Sequence, residues 1–199
     1  KKRAQGLAFS MRQTKEILGA NVYTRANTAG YTGGDGSTLL ASDHTPMYGG
    51  ADQSNITTAA TLSEAALEEL CIDIMEAKND RGLNIALTPQ TLIINPNLVF
   101  EADRILNSPL RVGTADNDLN ALKNMGKFPG GVKVNHYITD TNAYYIRTNC
   151  PDGMKYFERR ADDFSMDNDF DTDNAKYKAT GRYSFGWTDW RGLYGNMGA

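Results

Sequence analysis

The feature that most constrains this chain is the order in which its two hydrophobic periodicities occur. Apolar residues recur at helical spacing before about residue 107, apart from one short strand-like run at 91–94. Beyond about residue 130 they fall in strand-like runs. Alternating β and α signals would point to a parallel sheet covered on both faces. Helices placed early and strands placed late instead predict an α+β fold. A length of 199 residues allows one good core, or two small ones that share a sheet.

Residues 5–26 read as a helix whose stripe is Leu7, Met11, Leu18 and Val22, interrupted by Thr14 and Lys15. Arg12, Gln13, Glu16 and Arg25 make the opposite face polar, which predicts a helix lying on a surface. Residues 27–60 carry Gly30, Gly33, Gly34, Gly36, Gly49 and Gly50 among Thr, Ser, Asp and Asn, the chemistry of turns. Such a long segment is expected to be an extended excursion that needs a neighbour to order it.

Thr61 and Glu64 have capping-box spacing ahead of Leu67, Leu70, Cys71 and Ile74, and Gly82 is the expected stop of that helix. Thr91–Ile94 reads as a strand. Asn95 and Pro96 then open a helix through Leu98, Ala102 and Ile105 to about Asn107. A short helix is expected at Asp116–Asn124. Strands are expected at Val132–Tyr137, Ala143–Arg147, Met154–Glu158, Ala161–Phe170 and Tyr177–Phe185.

Little in the sequence points to catalysis. His44 and His136 stand outside any zinc-binding helix, and there is no C-x-x-C pair. Gly33-Gly34-Asp35-Gly36-Ser37 has no Gly-Lys-Ser/Thr after it, so it is no phosphate loop; G-x-S-x-G is absent. Asp167, Asp169 and Asp171 have the carboxylate spacing of a calcium loop. Thr172, however, stands where glycine is needed and Lys178 where the bidentate glutamate belongs. With Asp173 they read as a solvated strand edge or tip, whose charge discourages wrong pairing.

Asn55-Ile56-Thr57 matches a glycosylation sequon, a triplet frequent by chance. Cys71 and Cys150 make no disulfide framework, which favours an intracellular, reducing origin. A net charge of −3 gives no electrostatic reason for tight nucleic-acid binding. No apolar run approaches the roughly 18–20 residues that span a bilayer, so no membrane partner is expected. No cofactor, metal or catalytic residue is assigned.

Several segments occur in a telling order. Ser10-Met11-Arg12-Gln13-Thr14-Lys15-Glu16 and Ala20-Asn21-Val22-Tyr23 lead into Tyr31-Thr32-Gly33-Gly34-Asp35-Gly36 and Leu39-Leu40-Ala41-Ser42-Asp43-His44. Asp80-Arg81-Gly82-Leu83, Pro89-Gln90-Thr91-Leu92-Ile93-Ile94-Asn95-Pro96 and Ala102-Asp103-Arg104-Ile105-Leu106-Asn107-Ser108 follow. The run from Arg182-Tyr183-Ser184-Phe185-Gly186-Trp187 to Thr188-Asp189-Trp190-Arg191-Gly192-Leu193-Tyr194-Gly195 closes the series. In this order, over roughly residues 7–195, the chain resembles tailed-phage and prophage major capsid proteins of the Hong Kong 97-type fold.

The resemblance implies a non-enzymatic shell subunit with a spine helix, a peripheral β-sheet and an axial α/β domain. It would divide the chain into residues 1–60 (end of the spine helix and following loop, peripheral), 61–159 (axial), 160–183 (long peripheral strands) and 184–199 (return to the axial domain). Gly33, Gly34, Asp35, Gly36, Asp43 and His44 become subunit-contact candidates; Arg182, Tyr183, Gly186, Asp189, Arg191 and Gly192 become structural signature residues. The implied partners are further copies in pentamers and hexamers, portal, scaffold and decoration proteins, and packaged double-stranded DNA bound without specificity. The implied location is the virion, assembled in the host cytoplasm. The arm and extended loop that precede the spine helix in this family have no counterpart here; they lie outside these residues, or the chain departs from the pattern. Alternative readings are a nanocompartment shell of the same fold holding enzyme cargo, and a calcium-dependent enzyme or adhesion module built on the aspartates.

Overall fold

The structure is a computed structural model that describes residues 2–111, 118–168, 171 and 174–199. Its centre is a mixed four-stranded sheet in the order β2-β1-β3-β6: β1 Pro89–Ile94, β2 Val132–Val134, β3 Tyr144–Thr148 and β6 Leu193–Asn196. β1 pairs parallel with β2 and antiparallel with β3, and β3 pairs antiparallel with β6. The parallel β1–β2 pair requires a crossover, which α3 (Val99–Asn107) and α4 (Ala121–Met125) supply.

β1, β3 and β6 are mostly buried because both faces of the sheet are covered over most of their length, whereas the edge strand β2 leaves Lys133 and Val134 exposed. Leu92, Ile94, Tyr144, Ile146 and Tyr194 face α2 (Glu64–Met75), α3 and α4, where Leu67, Leu70, Ile74, Ala102, Ile105 and Leu122 complete the first core. Ile93, Tyr145 and Leu193 take alternate positions and face a second core of Ala26, Leu39, Leu40, Ile138 and Ala143. Residues of the glycine-rich segment thus form the lid of the second face. The expectation that this whole segment waits for a neighbour to order it is corrected, because Leu39 and Leu40 are fully buried within the chain itself.

The second unit is a two-stranded ribbon of β4 (Met154–Asn168) and β5 (Ala175–Trp187). At about 3.3 Å per residue its 15-residue strand extends roughly 50 Å. Two separate strands were expected across 154–170; the structure joins them into one, with register irregularities between Glu158 and Asp163 absorbing the break in pattern. A bare two-stranded ribbon is marginal in water. This one is braced along one face by α1 (Lys2–Thr24), where Gly19 lets the Phe185 ring approach to 3.4 Å of where a Cβ would sit.

The α1 stripe differs from the expected one. Leu7, Met11 and Val22 are among the less exposed positions as expected, but Ala4, Lys15 and Gly19 join them, Ala20 is the buried residue of the helix, and Leu18 remains 43% exposed. Lys15 belongs to the stripe because its ammonium lies 4.9 Å from the centre of the Tyr183 ring and pairs with Asp162 at 3.3 Å and Glu158 at 3.5 Å. Hydrogen bonding to Tyr156 and Asp162 holds the Lys15 pKa above the usual lysine range. The Tyr156 hydroxyl, donating to Glu158 at 2.6 Å, holds that carboxyl below its usual range.

Helix α2 starts later than expected. Ser63, not Thr61, is its N-cap and accepts from the Ala66 amide at 3.3 Å. Leu62 before the cap and Leu67 one turn on are both buried in the first core, the arrangement of a hydrophobic staple. The helix also ends before Gly82, at Met75. The Asn79 side chain accepts from the Arg81 and Leu83 amides, and Gly82 takes φ +79, so the chain turns back there and bridges Lys78 to Asn84. Asn95 and Pro96 open the next helical segment as expected, first as a 3-10 turn, Pro96–Leu98, and then as α3. Of the expected 116–124 helix, residues 116 and 117 lie outside the described residues, and the helix found is α4.

Leu40→Ala should destabilise the unassembled subunit by about 2–5 kcal/mol, the usual result of opening a cavity at a fully buried leucine. Met47→Ala, at a position 81% exposed, should stay within about 0.5 kcal/mol. Urea unfolding followed by tryptophan fluorescence compares the two.

Candidate functional site

The glycine-rich segment is pinned by one side chain. Asn55 is 1% exposed, and its Oδ1 accepts from the Ala41 amide at 2.9 Å. Its Nδ2 donates to the Leu39 carbonyl at 2.6 Å and the Leu193 carbonyl at 2.9 Å. The Asn55 backbone adds bonds to the Ala41 carbonyl and from the Gly195 amide. One amide thus fastens the lid residues 39–41 to the edge strand β6. The sequon reading of Asn55 does not survive this burial, since no hydrogen of the amide faces solvent.

His44 sits beside it. Its Nδ1 lies 2.6 Å from Asp35 Oδ2, its Nε2 lies 3.2 Å from Asn55 Oδ1, and its ring stacks on Trp190 at 4.1 Å between centroids. The side chain is 1% exposed, so as a subunit-contact candidate His44 is corrected: its partners lie inside its own chain. Asp35 acts from a turn in which the Gly33 amide donates to Ser37 O and Gly36 takes φ +85. Gly33 is needed for space, because a Cβ there would meet the Trp187 indole nitrogen at 3.0 Å, while Gly34 has open space around it. Asp43 is exposed and holds Ser37 through its carbonyl.

What the segment does present outward is its tip. His44 and Gln53 exchange both backbone hydrogen bonds, closing a loop in which Met47 and Tyr48 are 81% and 66% exposed. Neither residue stood out in sequence, where a single Met-Tyr pair among glycines carries no pattern.

The closing segment explains most of its signature residues. Arg191 is 7% exposed; its Nε donates to the Lys78 carbonyl at 2.8 Å, and its guanidinium pairs with Asp80 at 2.8 Å and Asp189 at 3.4 Å. Asp189 caps the 3-10 turn Trp190–Gly192 by accepting from the Arg191 amide. Gly192 lies so close to Gly153 that a Cβ on it would collide with the Gly153 Cα. Tyr183 packs beside Tyr156 and Phe185 beneath Lys15. Arg182 is exposed opposite Arg160, and a Cβ on Gly186 would meet nothing within 4 Å, so nothing in the structure explains those two.

The ribbon is the other exposed surface. Phe157, Phe164 and Met166 are 61%, 51% and 65% exposed. Asp167 lies opposite Lys176 near the ribbon end, and Asp171 is exposed beyond it; Asp169 and Asp173 lie outside the described residues. Among the described residues no helix is long and apolar enough to cross a membrane.

Comparison with known proteins adds a family. The sequence model of a family described as phage capsid protein matches residues 2–196. No curated protein matches the chain. Among solved structures, a virus-like particle from Pyrococcus furiosus aligns at 18% identity and TM-score 0.43 over 71% of this chain and 56% of its own. A structure from Mycobacterium phage Che8 aligns at 16% identity and TM-score 0.44 over 73% of this chain and 55% of its own. The chain therefore spans little more than half the length of these two structures.

Asn55→Ala should cost about 3–5 kcal/mol, because it orphans buried carbonyls and an amide at once, each worth about 1–3 kcal/mol. Asn55→Asp should be no better, since it sets a carboxylate against two carbonyl oxygens. Thermal melts of the unassembled subunit test both. Limited chymotrypsin digestion should cut first at Met47 or Tyr48 and spare Leu39 and Leu40; early cleavage at the leucines would contradict the pinned lid.

Proposed function

Because the chain belongs to the phage capsid protein family, we propose that it is the major capsid protein of a tailed phage, part of the icosahedral shell around a double-stranded DNA genome. The observation that carries this reading is the extent of the family match, residues 2–196, which takes in both the sheet domain and the ribbon. The role is structural, not catalytic. The subunit has the Hong Kong 97-type organisation: α1 is the end of the spine helix, the β4–β5 ribbon is the peripheral sheet, and the central sheet with α2 and α3 is the axial domain.

The distribution of exposed apolar residues supports self-association. Met47 and Tyr48 project from the loop tip, Phe157, Phe164 and Met166 from the ribbon, and Leu83 and Phe100 from the helical side. They are scattered over several faces, as a subunit touching several neighbours requires; a closed shell arises when such heterologous contacts close into rings of five and six. The Met47–Tyr48 tip takes over the subunit-contact role from His44, with Gly34 and Asp43 beside it on the exposed loop. The net charge of −3 suits a wall that holds DNA without gripping it. Portal, scaffold and decoration proteins are the further partners of such a shell, and assembly takes place in the host cytoplasm before the virion is released.

Negative-stain microscopy of the full-length protein tests the reading. Closed particles of uniform diameter containing nuclease-protected DNA are expected, unchanged by chelator. A monomer under all assembly conditions, with or without scaffold, would refute it. Uniform particles filled with protein cargo and free of DNA would move the assignment to a nanocompartment.

A further inference from the structure

One face of α1 turns away from the ribbon and forms a wall of a cleft of about 670 Å³ against the edge of the central sheet. Phe9, Arg12 and Glu16 line it from the helix, and Lys133, His136 and Arg147 line it from the sheet side. Arg12, Lys133 and Arg147 are exposed, and none is paired with a carboxylate among the described residues. Glu16 is the one acid lining the cleft. Phe9, 68% exposed, adds an apolar rim. In a chain of net charge −3 this concentration of unpaired cations is local.

The far half of the ribbon has the complementary character. Residues 162–178 contain six aspartates and two lysines. Asp163, Asp167 and Asp171 are exposed there, and Asp163 also pairs with Arg160 of its own strand at 3.0 Å. Phe164 lies opposite Ala179 and Met166 opposite Tyr177, so all four share one face, and Phe164, Met166 and Tyr177 are each more than a third exposed. Residue 166 stands roughly 40 Å along β4 from where the strand leaves the body at Met154. The ribbon end therefore cannot fold back into the cleft of its own chain.

We propose that the acidic, apolar end of the β4–β5 ribbon of one copy seats in the basic cleft between α1 and the central sheet of a second copy. The inference rests on the shell reading and names one of its contacts. Asp163 and Asp167 lie on the opposite face of β4 from Phe164 and Met166, so the ribbon enters between the two walls of the cleft: the aspartates face Lys133 and Arg147 on the sheet side, while Phe164 and Met166 cover Phe9 on α1. The contact is heterologous, so each copy gives a ribbon and offers a cleft, and repetition builds a ring or lattice, not a closed dimer. A nucleic-acid backbone answers the charges less well. Its contacts favour cations strung along a surface, whereas these converge on a concave site with an apolar rim that phosphates leave unmatched.

Charge reversal in the full-length protein is the test. Lys133→Glu with Arg147→Glu, and separately Asp163→Lys with Asp167→Lys, should each lower the yield of closed particles by roughly tenfold or more, because like charges then meet across the contact. All four substitutions in one chain should restore much of that yield. Circular dichroism and melting of the unassembled subunits check folding. If a variant misfolds, separate Phe9→Cys and Met166→Cys chains, mixed and oxidised, should give an intermolecular disulfide. Wild-type yields from both charge-reversed pairs would overturn the contact and leave the shell reading standing. Loss without restoration, or no cross-link, overturns it as well. Normal shells with less packaged DNA from the cleft variant would assign the cleft to nucleic acid. A wild-type protein that forms no particles takes down the shell reading and this contact together.

Discussion

A sheet with apolar side chains on both faces must be covered twice, and the rest of this structure follows from how that is done. Helices α2, α3 and α4 cover the face of Leu92, Ile94, Tyr144, Ile146 and Tyr194. The other face, with Ile93, Tyr145 and Leu193, is closed by a segment without regular secondary structure. A loop can serve as a lid only if its backbone polar groups are satisfied. Asn55 does this by bonding Leu39, Ala41 and Leu193 at once.

The same constraint accounts for the closing residues of the chain. β6 is an edge strand, so the lid is only as secure as its hold on 189–196. Asp189 caps the turn into β6, Arg191 ties that turn to Lys78 and Asp80, and the Gly153–Gly192 approach lets two backbones pass where side chains would collide. The ribbon leaves and re-enters the body at this crossing, through Met154 and Trp187. Forces on the ribbon in an assembled shell would therefore be delivered to the Asn55–His44–Trp190 cluster. Lys15 braces the ribbon from the other side. Since Glu158 is held below its usual range, the part of that brace owed to its charge is present above ordinary carboxylate pH and is lost as pH falls through the lowered value.

Segregated helices and strands gave the α+β class directly, and the strand–turn–helix at 89–107 was legible because Asn95 and Pro96 act within a few residues of themselves. Ser63 was legible too, had Leu62 and Leu67 been read as a staple in place of the Thr61–Glu64 spacing. Lys15 was read as a break in an apolar stripe, and nothing within one helical turn reveals an aromatic and acidic ribbon some 140 residues later.

By itself the sequence determined the element types, the ordered segments that resemble a capsid subunit, and the absence of any recognisable catalytic motif. These depend on periodicity and neighbouring residues. Only the tertiary structure decided that a glycine-rich stretch is a pinned lid with an exposed Met47–Tyr48 tip, and that His44 faces inward. It also decided that cations from α1, β2 and β3 converge on one cleft. Each of those outcomes depends on groups remote in sequence: a buried asparagine must find carbonyls 16 and 138 residues away, and no local pattern encodes that meeting.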